Sequence, residues 1–282
     1  MLFLSKQKSI FKQVLKITLF VIFGLTILFF INTHLIAKTS HNEKPLIGIL
    51  LNDGGKGGYS DYPWYAMRKN YSQVVAQLGG VPVFIGHDKE PIEDYLKILD
   101  GVVLTGGDFY SPPEAFTTGV NKDYNPKYHP REYIEFALIK KGYDSDLPIL
   151  GICAGMQQMN IALGGTIFEN LKKSLGTPIQ HRNETRHEIQ HMIDIAHDSK
   201  LYDIMQTERL AVNSNHNAGI NKIAPKLKVV ALAPDGVIES FEAKNKKFFV
   251  GVMWHPEYVL SEEEKKLWIA FIDAAKEHRL NK

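Results

Sequence analysis

Cysteine is almost absent. Cys153 is the only one in 282 residues. That excludes an internal disulfide framework and leaves this residue as either a buried small hydrophobe or a working thiol. Acidic residues are missing from the first 38 positions, which hold five lysines. The rest of the chain carries 28 basic and 31 acidic side chains, a formal −3. A body so near neutrality lacks the basic footprint of a nucleic-acid binder. There is no internal repeat and no low-complexity tract. The glycine-rich run 52–59 (NDGGKGGY) lacks the G-K-[ST] ending of a phosphate loop and reads as a mobile rim loop after a strand. What remains is 44% hydrophobic and 23% charged. That suits a globular protein of one or two domains, long enough to bury a core without staples.

The N-terminus stands apart. Lys6, Lys8, Lys12 and Lys16 precede an uncharged stretch at 17–37, most apolar over 17–31. Lysines before such a run hold that end in the cytoplasm and place the following chain outside. The apolar part is long for a signal-peptide core of about 7–15 residues and short for a span of about 20. Including Asn32 and His34 reaches spanning length, and cleavage after Ala37 would want a small residue where Leu35 stands. Residues 1–37 are therefore expected to be an uncleaved signal anchor, with a cleaved signal peptide and secretion as the alternative. Residues 38–44 (KTSHNEK) follow as a polar linker.

From Pro45 onward short apolar runs alternate with helical patterns. Strands are predicted at 46–50, 81–85, 101–105 and 148–152. Helices are predicted at 64–78, 131–141 and 156–163, the first and last stopped by Gly79-Gly80 and Gly164-Gly165. Residues 188–196 and parts of 227–233 alternate at period two, and 237–242 with 248–252 read as a late hairpin. Ser261 is placed to cap a helix running to about His278, with acids in its first turn and bases near its end. Alternation of this kind predicts an α/β fold around a mostly parallel sheet covered by helices on both faces.

Three runs carry chemistry. In residues 148–157 (PILGICAGMQ) a buried strand ends at Cys153 and a helix starts directly after it, with glycines two positions to either side. This is a nucleophile elbow, G-x-C-x-G. Its turn is too sharp for side chains at the flanking positions. It lifts the sulfur over a helix N-terminus, where partial positive charge favours thiolate, and aims the Ala154 N–H at a developing oxyanion. A thiol needs a base. Residues 251–257 (GVMWHPE) deliver His255 at a strand end, and an extended Pro256 is expected to return Glu257 to orient the imidazole. Residues 104–108 (LTGGD) end a strand in paired glycines, and the Gly107 N–H is the candidate second oxyanion donor. His181, His187, His191 and His197 are read as solvent-facing or substrate-contacting and not as metal ligands. His216 reads as structural or pocket-lining.

Together these runs resemble the class I glutamine amidotransferase superfamily, most closely its γ-glutamyl-γ-aminobutyrate hydrolase branch. The likeness spans about residues 45–275. It includes LTGGD, Arg131-Glu132 with Glu135, PILGICAGMQQMNIALGGTIFENL (148–171), VNSNH (212–216), APDGVIESFE (233–242) and GVMWHPE. The resemblance implies a flavodoxin-like hydrolase domain over 45–282 and a Cys153–His255–Glu257 triad. It also implies an oxyanion hole from Gly107 and Ala154, substrate contacts at Gln157 and His216, and no cofactor or metal. The implied partner is a small γ-glutamyl molecule, cleaved through a thioester on Cys153. Three positions depart from the family pattern: Ala154 where arginine is common, and Met253 and Ala218 where glutamine is usual. Two other readings stay open, a glutaminase subunit feeding ammonia to a synthase and a membrane-tethered binding protein with an idle thiol. The oligomeric state is open between monomer and homodimer.

Overall fold

The innermost strands of the central sheet are short apolar runs because both of their faces are covered. In the computed structural model, residues 44–107, 113–117, 129–183 and 185–282 are described, with Phe23, Gly24 and Thr26. The expected anchor and linker otherwise lie outside the described residues. Among those described, no helix is long and apolar enough to cross a membrane. Residues 44–282 form one unit.

In chain order this unit contains β1 (Leu46–Leu50), β2 (Asn52–Gly57), β3 (Ser60–Ala66), α1 (Lys69–Gln77), β4 (Val81–Ile85), α2 (Ile92–Ile98) and β5 (Gly101–Leu104). It continues with α3 (Pro130–Asp144), β6 (Ile149–Ile152), α4 (Ala154–Ala162), β7 (Thr166–Phe168), α5 (Leu171–Leu175), β8 (Ile189–Ile195) and α6 (Lys200–Met205). Next come β9 (Arg209–Asn213), β10 (Gly219–Lys222), β11 (Lys228–Leu232), β12 (Ile238–Glu242), β13 (Phe249–Val252) and α7 (Glu262–Leu280). Nine strands make the main sheet in the order β4-β1-β5-β6-β13-β12-β11-β8-β9. From β4 to β13 every neighbour is parallel, and this portion carries the site. From β13 to β9 every pairing is antiparallel. The parallel expectation thus describes the part built from strand–helix units. The rest is an antiparallel extension whose strands are linked mainly by turns or a short helix, not by long crossover helices.

Alternation within strands splits the core in two. Val103 joins α1 and α7 on one face, with Tyr71, Val75, Leu267, Trp268 and Phe271. Its neighbours Val102 and Leu104 join α3 and α4 on the other, with Ile134, Leu138, Met156 and Met159. Ser261 Oγ accepts from Glu264 N at 3.2 Å, and Glu264 Oε2 accepts from Leu260 N at 2.6 Å. A reciprocal cap of this kind fixes where α7 starts.

The expected rim loop and the start of the expected 64–78 helix are instead a hairpin. β2 pairs antiparallel with β3, Asn52 facing Ala66 and Asp53 facing Tyr65. A Cβ on Gly54 would come within 2.1 Å of the Trp64 ring, so the glycine is what lets the indole lie over its partner strand. Pro63 keeps the second strand out of helix, which begins only at Lys69.

Candidate active site

The chain turns sharply at the end of β6. Cys153 has φ +52° and ψ −106°, a strained conformation for a residue with a side chain. A Cβ on Gly155 would lie 2.2 Å from the Leu104 carbonyl oxygen, and one on Gly151 would lie 2.2 Å from Met159 Sδ. Backbone therefore requires glycine at 155, while at 151 a side chain would have to displace Met159. α4 begins at Ala154, so the Ala154 N–H is one of the helix's unpaired first donors.

His255 follows β13 and is buried, as is Glu257. His255 Nδ1 lies 2.9 Å from Glu257 Oε1. The acid returns through a 3₁₀ turn, Pro256–Tyr258, and not through the extended backbone expected at Pro256. Trp268 of α7 pins this turn, its indole N–H donating to the Pro256 carbonyl at 2.9 Å. Burial disfavours the imidazolium of His255, but the Glu257 carboxylate and the adjoining Cys153 sulfur outweigh it and raise the pKa. Imidazole and thiol meet over Gly106, where a Cβ would stand 3.1 Å from His255 Cε1 and 3.3 Å from Cys153 Cβ.

The turn after β5 is braced from several sides. Gly106 N–H donates to Tyr71 Oη at 3.0 Å, and the Gly106 carbonyl accepts from Asn52 Nδ2 at 3.1 Å. Arg131 Nη2 donates to the Thr105 carbonyl at 3.0 Å and Nη1 donates to Asn52 Oδ1. Its Nε and Nη2 also meet Glu135 Oε1 at 3.0 Å, wholly buried. Burial and the nearby Glu257 carboxylate push the Tyr71 phenol well above its ordinary pKa, so it stays neutral and accepts the Gly106 proton. With Gly106 committed on both sides, Gly107 is the next residue, and it lines the cleft. Its φ of +141° and a Cβ that would overlap Asn52 Oδ1 require glycine there. Asp108 lies outside the described residues.

Cys153, His255, Gly107, Gln157 and His216 all line one cleft of about 580 Å³. Gln157 Nε2 donates to the Ala218 carbonyl at 3.0 Å and touches Met253 Sδ at 3.4 Å, so two of the positions that depart from the family pattern converge on it. Gln157 Oε1 is buried without a hydrogen-bond partner. Arg68, Arg182 and Arg186 also line the cleft, against Asp53 and Glu169.

Sequence reasoning did not single out Tyr71, Asn52 or Asn213. Tyr71 sits among the apolar residues of α1, and nothing local marks its hydroxyl as a brace. Asn52 lies inside the run read as a loop, and Asn213 was noticed only as part of VNSNH. Of the four histidines read as solvent-facing or substrate-contacting, His187 and His197 are exposed. His181 and His191 are buried instead, packed with His216 around Glu239.

Known proteins share the family and the fold of this chain. Residues 45–257 match the Peptidase C26 family. A glutamine amidotransferase-like protein of Rickettsia prowazekii (strain Madrid E) is 30% identical over 259 residues, 77% of this chain and 92% of its own length. Gamma-glutamyl-gamma-aminobutyrate hydrolase PuuD of Escherichia coli (strain K12) is 27% identical over 248 residues, 84% of this chain and 95% of its own. The crystal structure of a glutamine amidotransferase from Thermotoga maritima superposes with a TM-score of 0.53 at 16% identity, covering 85% of this chain and 99% of that one. The chain belongs to the Peptidase C26 family, within the class I glutamine amidotransferase-like superfamily.

Proposed function

We propose that this protein hydrolyses γ-glutamyl amide bonds through a thioester on Cys153. The observation that carries the reading is the strained elbow at Cys153 opposite the buried His255–Glu257 pair at 2.9 Å. The Cys153 thiolate attacks the side-chain amide carbon of the glutamyl group. The carbonyl oxygen becomes an oxyanion between the Gly107 and Ala154 N–H groups, each such donor contributing about 3–4 kcal/mol to barrier lowering. As the C–N bond breaks, His255 gives its proton to the departing amine and the thioester remains. Water then adds to the thioester, His255 taking its proton. The C–S bond breaks, and glutamate and free thiol result. Glu257 holds the tautomer and stabilises the imidazolium.

Substrate selection rests on the same cleft. The unpartnered Gln157 Oε1 suits the glutamyl α-ammonium, and the three cleft arginines favour an anionic substrate. The N-terminal lysine cluster adds a placement, with the domain outside the cytoplasm acting on an extracytoplasmic γ-glutamyl compound. Support for that part is the sequence alone. The test is intact-protein mass spectrometry with a panel of γ-glutamyl amides. The expected result is a γ-glutamyl adduct on the wild-type protein that Cys153→Ala never forms. Turnover without any adduct, or with Cys153→Ala, would remove the thioester route.

A further inference from the structure

Beside the cleft four buried side chains from four separate segments converge on one point. His181 lies before β8, His191 in β8, His216 after β9 and Glu239 in β12. Their side chains are 0–5% exposed. His181 Nδ1, His191 Nε2 and His216 Nε2 stand 3.3, 3.6 and 3.5 Å from the same atom, Glu239 Oε1. None of these nitrogens, and neither Glu239 oxygen, makes a hydrogen bond.

The outward nitrogens decide what the inward ones are. His181 Nε2 meets Asp235 Oδ2 at 2.8 Å, His191 Nδ1 meets the Met192 carbonyl at 3.2 Å, and His216 Nδ1 meets the Ala218 carbonyl at 2.9 Å. Carboxylates and carbonyls only accept, so each outward nitrogen carries the hydrogen. In the neutral rings all three inward nitrogens are then lone pairs aimed at a carboxylate. Four acceptors facing one another in a buried space require a cation between them. A proton on one ring would answer one of the three contacts and leave the other two as lone pair against anion. A metal ion answers His181, His191 and Glu239 at once, whose ligand atoms all lie within 4.8 Å of one another.

The distances agree with a metal. Zinc binds imidazole nitrogen and carboxylate oxygen at about 2.0–2.2 Å, and a tetrahedron with such arms has edges of about 3.4 Å. The three N···O separations match such an edge and are long for hydrogen bonds. The outer contacts also match the carboxylate–histidine–metal arrangement, in which a ligating imidazole donates its other N–H to a carboxylate or carbonyl. Asp235 is itself anchored, accepting from Thr177 Oγ1 and, at 3.3 Å, from Val237 N. His216 lines the cleft, which offers a way in.

We infer that His181, His191 and Glu239 form a three-ligand site for a divalent transition metal of the zinc class, with His216 beside it. The metal ties the segment bearing His181 to the sheet, and the His181 carbonyl in turn accepts the N–H of His216 at 2.9 Å. Its neighbour Asn215 places its carbonyl oxygen 4.0 Å from Cys153 Sγ, so the ion organises the cleft wall that faces the thiol. The inference does not rest on the hydrolase reading, because its readout is metal and not turnover.

The test uses the full chain without a polyhistidine tag, stripped by chelator and titrated with Zn²⁺ and with Co²⁺. Elemental analysis should find one zinc per chain, and Co²⁺ should give the intense visible bands of tetrahedral coordination. Cys153→Ala should bind as wild type, which separates this site from a metal on the thiol and His255. His191→Ala and Glu239→Gln should lose the ion, and Asp235→Asn should weaken it about 10- to 100-fold. Should the ligand variants fail to fold, long-range ¹H–¹⁵N spectra of the wild type decide. Zinc must shift the inward nitrogens of His181 and His191 while their outward N–H groups persist. Binding lost in Cys153→Ala but kept in Glu239→Gln would overturn the site. So would a wild-type protein that takes up no metal and shows an imidazolium in the cluster unchanged by zinc.

Discussion

Asn213 clasps the backbone of His255 from both sides. Its Oδ1 accepts from the His255 N–H at 3.0 Å and its Nδ2 donates to the His255 carbonyl at 3.1 Å. The side chain has no contact with a substrate to make; it sets where the imidazole stands. Asn213→Ala should lower kcat by about 100-fold, the scale of a displacement of about 1 Å in a catalytic group. KM should change little. Two buried backbone groups would be left unpaired, at about 1–3 kcal/mol each, so the denaturant midpoint should fall as well. Asn213→Asp keeps the acceptor but turns an oxygen toward the carbonyl, and should be similarly impaired. Wild-type kcat in Asn213→Ala would show that the clasp does not position His255.

Replacing the triad groups one at a time should give a graded series. Cys153→Ala should abolish turnover, His255→Asn should approach that loss, and Glu257→Gln should cost less, because an orienting acid commonly matters least. The Cys153→Ala/His255→Asn double variant should be no slower than the worse single one. A double variant far slower than either would mean that thiol and imidazole act separately. Steady-state rates on one γ-glutamyl amide suffice to read the series.

The two elbow glycines should differ in tolerance. An added methyl at Gly155 meets the Leu104 carbonyl, which belongs to β5 and cannot yield. At Gly151 its nearest neighbour is Met159 Sδ, the end of a flexible side chain, with α4 backbone at 3.0 Å behind it. Gly155→Ala should therefore be the more destabilising, by about 3 kcal/mol or more, the upper range for overpacking. Urea denaturation of both variants checks the order, and a milder effect at Gly155 would contradict the geometry.

The elbow was legible in the sequence because everything that makes it is local: an apolar strand, a thiol and two glycines within seven residues. The same holds for His255 and Glu257, two positions apart. The brace of the Gly106 turn was not legible, because Tyr71, Asn52 and Arg131 reach it from 35, 54 and 26 residues away. Nor was the β2–β3 hairpin, whose glycines look like a loop until Trp64 is seen lying on Gly54. The cluster around Glu239 draws on positions 181, 191, 216 and 239, which share no motif spacing, and only the antiparallel half of the sheet brings them together. That half also escaped the parallel reading, since period-two runs announce strands but not their direction.

Glu264 links the cap of α7 to the site by charge. Burial, with the Glu257 carboxylate nearby, raises its pKa to about 7. An unfolded glutamate titrates near 4.5, so between about pH 4.5 and 7 the folded chain holds a proton that the unfolded chain has released. Stability should fall across that window as pH rises, by about 3 kcal/mol at full shift. Glu264→Gln keeps the reciprocal cap and removes the titration. Its urea midpoint should exceed that of the wild type at pH 8 and converge with it near pH 4.5. A wild-type midpoint that rises between pH 5 and 7 in step with the variant's would place the Glu264 proton elsewhere.

The proposed placement of the domain rests on Lys6, Lys8, Lys12 and Lys16 ahead of the apolar run 17–31, a pattern that would hold the N-terminus in the cytoplasm. A reporter active only outside the cytoplasm, fused after Lys282, should therefore be active, while a cytoplasmic reporter at the same point should be silent. The fusion should spare the fold if a flexible linker leaves the Lys282 side chain in place, since its Nζ meets Asp100 Oδ1 at 3.1 Å beside Arg279 at the end of α7. Resistance to carbonate extraction separates an anchor from a cleaved signal. An external domain meets γ-glutamyl peptides such as glutathione and not intermediates of the cytosol. The substrate should shift accordingly, with Met253 against Gln157 as the contact that sets the preference. On the full chain in detergent, kcat/KM for glutathione should exceed that for γ-glutamyl-γ-aminobutyrate. Met253→Gln should narrow the gap by giving Gln157 Nε2 an amide oxygen in place of a weak sulfur acceptor. A clear preference of the wild type for γ-glutamyl-γ-aminobutyrate would sever substrate from placement even if the reporter result held.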